Sequence, residues 1–374
     1  MKKTLYVHIG TTKTGTTAIQ SFCIDNQEVL NQKGYCYPLF PYSYKDVSER
    51  RNAHFLIAEA SDKNSGRFRE GMDRIRELFD KYQNIILSDE GIWSSVYEQR
   101  INMWRALKAE AKEAGFKVKV IVYLRRQDTY LISGWNQMVK SGIGNGADKP
   151  WDEYVKDLVY INKMNYATHL KKIAAFWGEK NIIVRRFEPK RFKNGSVYAD
   201  FLDAVGLQLT DEYRIEQSER NTRLSGNTHE IQRVLNGMPE MTPVYHSFFR
   251  RALLSYADLS GKEYPCEMFS KEEAETFLQQ YREENEQVSE LYFNGEPLFE
   301  AGWKDIPKWE KENPYMQDDL IRFVGACCMQ LVEENRMLLN RIEELEGKKK
   351  AVKKNLNEQG LKKKLFLAIG HKNS

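Results

Sequence analysis

The residues best suited to chemistry lie near the start of the chain. Gly10-Thr11-Thr12-Lys13-Thr14-Gly15-Thr16-Thr17 follows a β-branched and aromatic run, Thr4–Ile9, and opens a helical pattern, Thr16–Leu30. A turn from strand into helix aims backbone N–H groups and the positive end of the helix at one point. Its glycines let a ligand approach the backbone, and its hydroxyls and lysine add donors and a full charge. The chemistry is the binding of an anion.

Such a loop needs a rigid sheet behind it. Thr4–Ile9, Tyr35–Tyr37, Ile85–Leu87, Val118–Leu124 and Ile182–Val184 read as strands, and Thr16–Leu30, Arg100–Ala114, Tyr130–Lys140 and Tyr166–Trp177 as helices between them. Continuous apolar strands separated by helices predict an α/β fold, a P-loop-like parallel sheet flanked by helices. From Ser225 onward the pattern is helical, with Thr228–Leu235, Tyr245–Tyr256 and Lys271–Tyr292. The expected organisation is an α/β domain over 1–310 with a helical subregion at about 225–300, then a coiled-coil-like helix over 316–346 and a basic tail over 347–374. Set beside the nucleotide-hydrolase loop G-x-x-x-x-G-K-[ST], the two glycines have the right spacing. Thr16 stands at the lysine position, however, and the cation is Lys13, inside the loop.

With its lysine displaced in this way, His8-Ile-Gly-Thr-Thr-Lys13-Thr-Gly-Thr-Thr-Ala-Ile-Gln20 resembles the 5′-phosphosulfate loop of sulfotransferases that use 3′-phosphoadenosine 5′-phosphosulfate (PAPS), especially bacterial glycan-type members. Val120-Ile-Val-Tyr-Leu-Arg125-Arg126-Gln-Asp-Thr-Tyr-Leu-Ile-Ser133 resembles the same family's 3′-phosphate motif, with Arg125 eight residues before Ser133. A guanidinium near a hydroxyl suits a terminal phosphate. Val184-Arg185-Arg-Phe-Glu188 with Asp200-Phe-Leu, Asn221-Thr-Arg-Leu-Ser225, and Asn285 before Leu298-Phe299 extend the likeness loosely to about residue 300. The resemblance implies a PAPS-dependent sulfotransferase that acts on a carbohydrate hydroxyl of a glycan or polysaccharide, releases adenosine 3′,5′-bisphosphate and needs no metal. Thr12, Lys13, Thr14, Gly15, Thr16, Thr17, Arg125 and Ser133 would hold the cofactor.

Sulfuryl transfer by in-line displacement asks mainly for positioning and charge, so Lys13 is the residue to neutralise the leaving oxygen. The acceptor hydroxyl needs a base. His54, after the second strand, ranks first, since an imidazole titrates near neutral pH and similar enzymes often place a catalytic histidine there. Glu90, at the end of Ile85-Ile-Leu-Ser-Asp-Glu, is its rival or its orienting neighbour, because strand ends face the ligand crevice of an open sheet. Trp93, Trp135 and Trp151 are candidates for stacking on sugars or for the core. The other histidines, His169, His229, His246 and His371, read as structural.

Two other readings compete. Ile85-Ile-Leu-Ser-Asp89 could end in a magnesium-binding acid, as in a P-loop kinase, and a non-catalytic nucleotide-binding scaffold would dimerise through 318–345. In that segment Ile321, Cys328, Asn335 and Ile342 fall at heptad a positions and Val324, Leu331, Leu338 and Leu345 at d. The alternative there is an amphipathic helix packed on its own domain.

Composition bounds all of this. The 374 residues are 41% hydrophobic and 29% charged, with net charge +4. That is a globular composition without a membrane-length apolar run, and no signal peptide is expected at the start. Residues 347–374 hold nine lysines against the single acid Glu358, so the remainder is net acidic. Nucleic acid is therefore not an expected partner, while the tail could touch an anionic membrane at the inner face. Five cysteines, Cys23, Cys36, Cys266, Cys327 and Cys328, without metal-ligand spacing, fit a cytoplasmic protein.

Overall fold

The computed structural model describes residues 3–59, 66–96, 101–142, 146–157, 161–215, 224, 226–260, 267–302 and 307–370. Five strands, β1 (Thr4–His8), β2 (Tyr35–Cys36), β3 (Asn84–Ser88), β4 (Lys117–Leu124) and β5 (Ile182–Arg186), make one parallel sheet in the order β2-β3-β1-β4-β5. All five expected strands are present. Side chains alternate along a strand, so a strand apolar throughout feeds two cores. Leu5, Val7, Leu87 and Val120 pack with Phe55, Met72, Trp104 and Leu131 on one face. Tyr6, Ile86, Ile121 and Tyr123 pack with Ile19, Phe22 and Phe201 on the other.

The helices around the sheet are α1 (Thr16–Asp25), α2 (Gln27–Gln32), α3 (His54–Glu59), α4 (Gly66–Leu78), α5 (Asn102–Ala114), α6 (Gln127–Ser141), α7 (Trp151–Tyr154), α8 (Tyr166–Trp177) and α9 (Val197–Val205). The helix expected over Thr16–Leu30 breaks at Asn26. Its side-chain amide donates to the carbonyls of Phe22 and Arg214, each at 2.9 Å, and accepts from Arg214 N–H at 2.7 Å. The short polar side chain thus competes with the helix for backbone groups. The helix expected over Lys271–Tyr292 splits likewise into α12 (Lys271–Gln279) and α13 (Arg282–Phe293), with Tyr281 buried between them.

The chain forms two compact units, Met1–Asn221 with Tyr264–Trp309, and Thr222–Glu263 with Glu310–Ser374. The helical stretch placed by sequence inside one domain therefore divides. Helices α12 and α13 belong with the sheet, whereas α10 (Gly226–Asn236) and α11 (Pro243–Ser260) belong with the terminal helix α14 (Met316–Gly370). In this second unit Ile231, Ala252 and Leu253 bury Phe323 and Cys327 of α14. Asn227 donates to Asp319 at 2.8 Å. Helix α14 runs unbroken through Gly347 and Gly360, so the stretch expected as a separate tail from 347 continues the helix. A glycine costs a helix about 1 kcal/mol without ending it. Cys266, His371 and all of Asn221–Ser225 except Leu224 lie outside the described residues. Among those described, no helix is long and apolar enough to cross a membrane.

Candidate active site

β1 lies at the centre of the sheet, and the chain goes from it to β2 and β3 on one side before crossing to β4 and β5 on the other. Its carboxyl end is the switch point at which open parallel sheets take ligands. The loop after it stays attached to β4. Ile9 N–H donates to Ile121 at 2.9 Å, Tyr123 N–H to Gly10 at 2.7 Å, and Thr11 N–H to Tyr123 at 2.9 Å. Gly10 has φ +84°, and a Cβ there would lie 2.9 Å from Glu90 Cβ, so neither the turn nor the space admits a side chain. Gly15, with φ +72°, caps α1 without a side chain, which leaves the first-turn N–H groups available to an anion.

Lys13 itself sits at φ +63°, a conformation seldom taken by residues other than glycine. Such strain persists where neighbours impose it. Here the neighbours are Arg125, whose guanidinium donates to the Lys13 carbonyl at 3.0 Å, and Gln137, which accepts from Lys13 Nζ at 2.9 Å. Burial, then the charges of Arg125 and Lys140, lower the Lys13 pKa, and Glu90 opposes them. The threonines divide. Those at 14 and 16 are buried and donate to the Thr11 carbonyl, which helps to hold the shape of the loop. Thr12 meets Tyr130 at 2.9 Å, and Thr17 is exposed.

Helix α6 forms the wall beside the loop. Tyr130, Ser133 and Gln137 are spaced i, i+3, i+7 and share a face. Since Tyr130 and Gln137 touch Thr12 and Lys13, the half-buried Ser133 lies on the loop-facing side. Arg125 precedes this helix, bonded through Nε to Thr129 at 3.1 Å and lying over the Phe187 ring at 5.8 Å. Arg126 turns elsewhere. It pairs with buried Asp128 at 2.9 and 2.8 Å and donates to the Gly302 carbonyl at 2.7 Å.

Across the loop, after β3, stands a network centred on Asp89, which is fully buried. Arg51 binds its two oxygens at 3.1 and 2.6 Å, Gly91 N–H donates to it at 2.6 Å, and His54 Nδ1 lies 2.9 Å from it. A carboxylate accepts, so Nδ1 of His54 is the donor in this pair. The residue that orients His54 is thus Asp89, one position before the expected Glu90. Glu90 instead accepts from Gln20 at 3.3 Å and lies 3.6 Å from Arg51, joining the histidine network to the Lys13 loop.

Aromatic residues near the histidine come from an unexpected place. Trp93 and Trp135 are 1% and 2% exposed and donate to the Lys163 and Lys149 carbonyls, while Trp151 packs on Trp135, so all three serve the core. The ring beside His54 is Tyr44, 4.8 Å away, on the long loop between β2 and α3, with Phe40, Tyr42 and Arg67 around it. Sequence reasoning missed Tyr44, Arg51, Gln137 and the orienting role of Asp89. Arg51 stands three residues before His54, but its ion pair spans 38 residues.

No protein-family model matches the chain. An uncharacterized protein of Archaeoglobus fulgidus is 29% identical over 217 residues, 58% of this chain and 57% of that protein, so the chain spans little more than half the length of this relative. Two solved structures match the chain at low score. A sulfotransferase from Alicyclobacillus acidocaldarius is 15% identical, with 58% of this chain and 86% of that one covered and a TM-score of 0.36. A sulfotransferase domain from the curacin biosynthetic pathway is 10% identical, with 75% and 98% covered and a TM-score of 0.35. Scores this low leave any assignment of activity to rest on the site itself.

Proposed function

We propose that the protein moves a sulfuryl group from PAPS to a hydroxyl of a carbohydrate acceptor. The observation that carries this reading is the Lys13 loop, with its cation at φ +63° between two turning glycines and its helix N-terminus uncapped. A preorganised positive turn of this kind suits the charged end of a phosphosulfate. PAPS supplies the activated sulfuryl group. The chain's own residues bind and steer. Lys13 and the α1 amides hold the 5′ end and oppose charge growing on the leaving oxygen, Arg125 and Ser133 receive the 3′-phosphate, and His54 Nε2 takes the acceptor proton. Asp89 keeps His54 in the required tautomer and stabilises the imidazolium as it forms. Tyr44, beside that histidine, offers a face on which a sugar ring can stack.

The kinase reading fares worse on a specific point. It requires Asp89 to coordinate magnesium, yet both carboxylate oxygens are taken by Arg51, His54 and Gly91. The test is transfer of label from radiolabelled PAPS to a panel of polysaccharides, with Lys13→Ala as control. Label on a polysaccharide, lost in the variant, supports the proposal. Binding of the bisphosphate without turnover on any acceptor would favour the scaffold reading.

A further inference from the structure

The terminal helix carries two apolar stripes, and the described residues of its own unit cover one of them. Asp319, Phe323 and Cys327 face α10 and α11, where Phe323 and Cys327 are 6% and 9% exposed. Intrachain contact continues to Glu334, which accepts from Gln330 at 2.9 Å and Arg251 at 3.1 Å. Beyond it, residues 335–350 are exposed on every side. The second stripe is the heptad seam. Ile321, Leu331, Leu338 and Leu345 are 64%, 49%, 61% and 51% exposed. The two alternatives left open by the sequence are thus both realised on one helix. One face packs at home, and the face with the seven-residue period has no cover among the described residues.

We propose that this seam pairs with the same seam of a second copy in a parallel, in-register coiled coil. Three observations choose that occupant. A seven-residue apolar period is a pattern that an identical helix satisfies, with mostly leucine at d and isoleucine at the outer a positions favouring two strands. Asn335 falls at an a position, where facing asparagines of two parallel copies can bond to one another and fix register. Charge also complements across the pair. In the parallel register Arg341 at g meets Glu346 of the partner subunit at e. Among the described residues Arg341 has an exposed i,i+3 contact with Glu344 at 2.9 Å, which is readily exchanged. Most helical stability in proteins comes from packing an apolar face, and pairing of the seam supplies that packing beyond Glu334.

The same register sets a chemical test. Cys328 is an exposed free thiol at an a position, whereas Cys327 is buried against α11. In parallel register the two Cys328 side chains face each other. Diamide, which accepts the two electrons and two protons released, should then join the full-length chains through Cys328. Cys328→Ser should abolish the covalent dimer and Cys327→Ser retain it. Sedimentation should give twice the 43.9 kDa chain mass. Leu338→Glu, at a position exposed within the chain and so harmless to its folding, should raise the dissociation constant by at least about 100-fold. A monomeric full-length protein, a dimer unchanged by Leu338→Glu, or a dimer whose Cys328 thiols do not join would each overturn the proposal.

Discussion

The two sides of the Lys13 loop are built on opposite principles. On the α6 side the charged groups are positive and meet neutral partners, with a helix start that has no side-chain cap, a strained lysine on the Gln137 amide and an arginine on the Lys13 carbonyl. On the β3 side nearly every donor has an acceptor, and Asp89 alone collects Arg51, His54 and Gly91. The first arrangement carries a cost until an anion arrives, while the second holds one imidazole in one state. A site that must both receive a polyanion and take up a proton needs the two kinds side by side. Substitutions on the two sides should therefore fail differently.

The largest effect is expected at Lys13. Lys13→Ala should lower turnover by about 10³-fold, weaken the bisphosphate less, and leave the melting temperature unchanged or higher, because it removes a half-buried charge. Equal losses in turnover and binding would make Lys13 a simple anchor. Next come the histidine and its aspartate. His54→Gln should cost about 10²-fold or more in turnover with little change in stability, since the Arg51–Asp89 pair survives. Asp89→Asn should match it in turnover and also lose up to about 3 kcal/mol on denaturation, because Arg51 loses its two-oxygen partner and keeps the looser contact with Glu90 at 3.6 Å. If Glu90→Gln proved more damaging than His54→Gln, the base would be Glu90.

The two adjacent arginines sharpen the contrast further. Arg125→Ala should weaken binding of the 3′,5′-bisphosphate by about 1.5–3 kcal/mol. Part of that loss should persist for a nucleotide lacking the 3′-phosphate, because Arg125 also holds the Lys13 carbonyl. Arg126→Ala should leave binding alone and reduce stability through Asp128 and the Gly302 carbonyl. Calorimetric titration with both nucleotides separates the two, and a binding defect confined to Arg126 would reverse their assignment.

The smallest effect is one of pH. His8, fully buried under the loop, is pushed down to about 3 by loss of hydration. Below an ordinary histidine value near ~6.5 the unfolded chain takes up a proton that the folded chain refuses until about 3. Stability should therefore fall as pH drops through that window, by up to about 1.4 kcal/mol per pH unit from this group. Urea denaturation at pH 7 and pH 5 should show a smaller difference for His8→Asn than for the wild type; equal differences would remove His8 as the source. Catalysis should fail at the alkaline end earlier than an ordinary lysine would dictate, since the Lys13 pKa is lowered by burial.

What could be read from the sequence follows from distance along the chain. Strands buried on both faces announce themselves as apolar runs, and the Lys13 loop is a contiguous motif between a strand and a helix. Asp89 acquires its role from residues 35 and 38 positions away, and Asn26 ends α1 through Arg214, 188 positions away. No local pattern carries such pairings. The heptad seam was legible because periodicity is local, but its relation to the buried stripe at Phe323 and Cys327 depends on where α11 packs. Trp93 and Trp135 illustrate the converse, since large aromatics that could stack on a ligand are identical in sequence to those that fill a core.

The most direct test of the central claim is a thermal-shift comparison of full-length protein with adenosine 3′,5′-bisphosphate without metal and with ATP plus magnesium. A ligand bound only by the folded state raises the melting temperature by mass action, with about 2.7 kcal/mol of stabilisation at 100 times its dissociation constant. The bisphosphate should raise it, the rise should shrink in Lys13→Ala and Arg125→Ala, and ATP with magnesium should do less. A larger shift with ATP and magnesium, or an undiminished bisphosphate shift in both variants, would contradict the account.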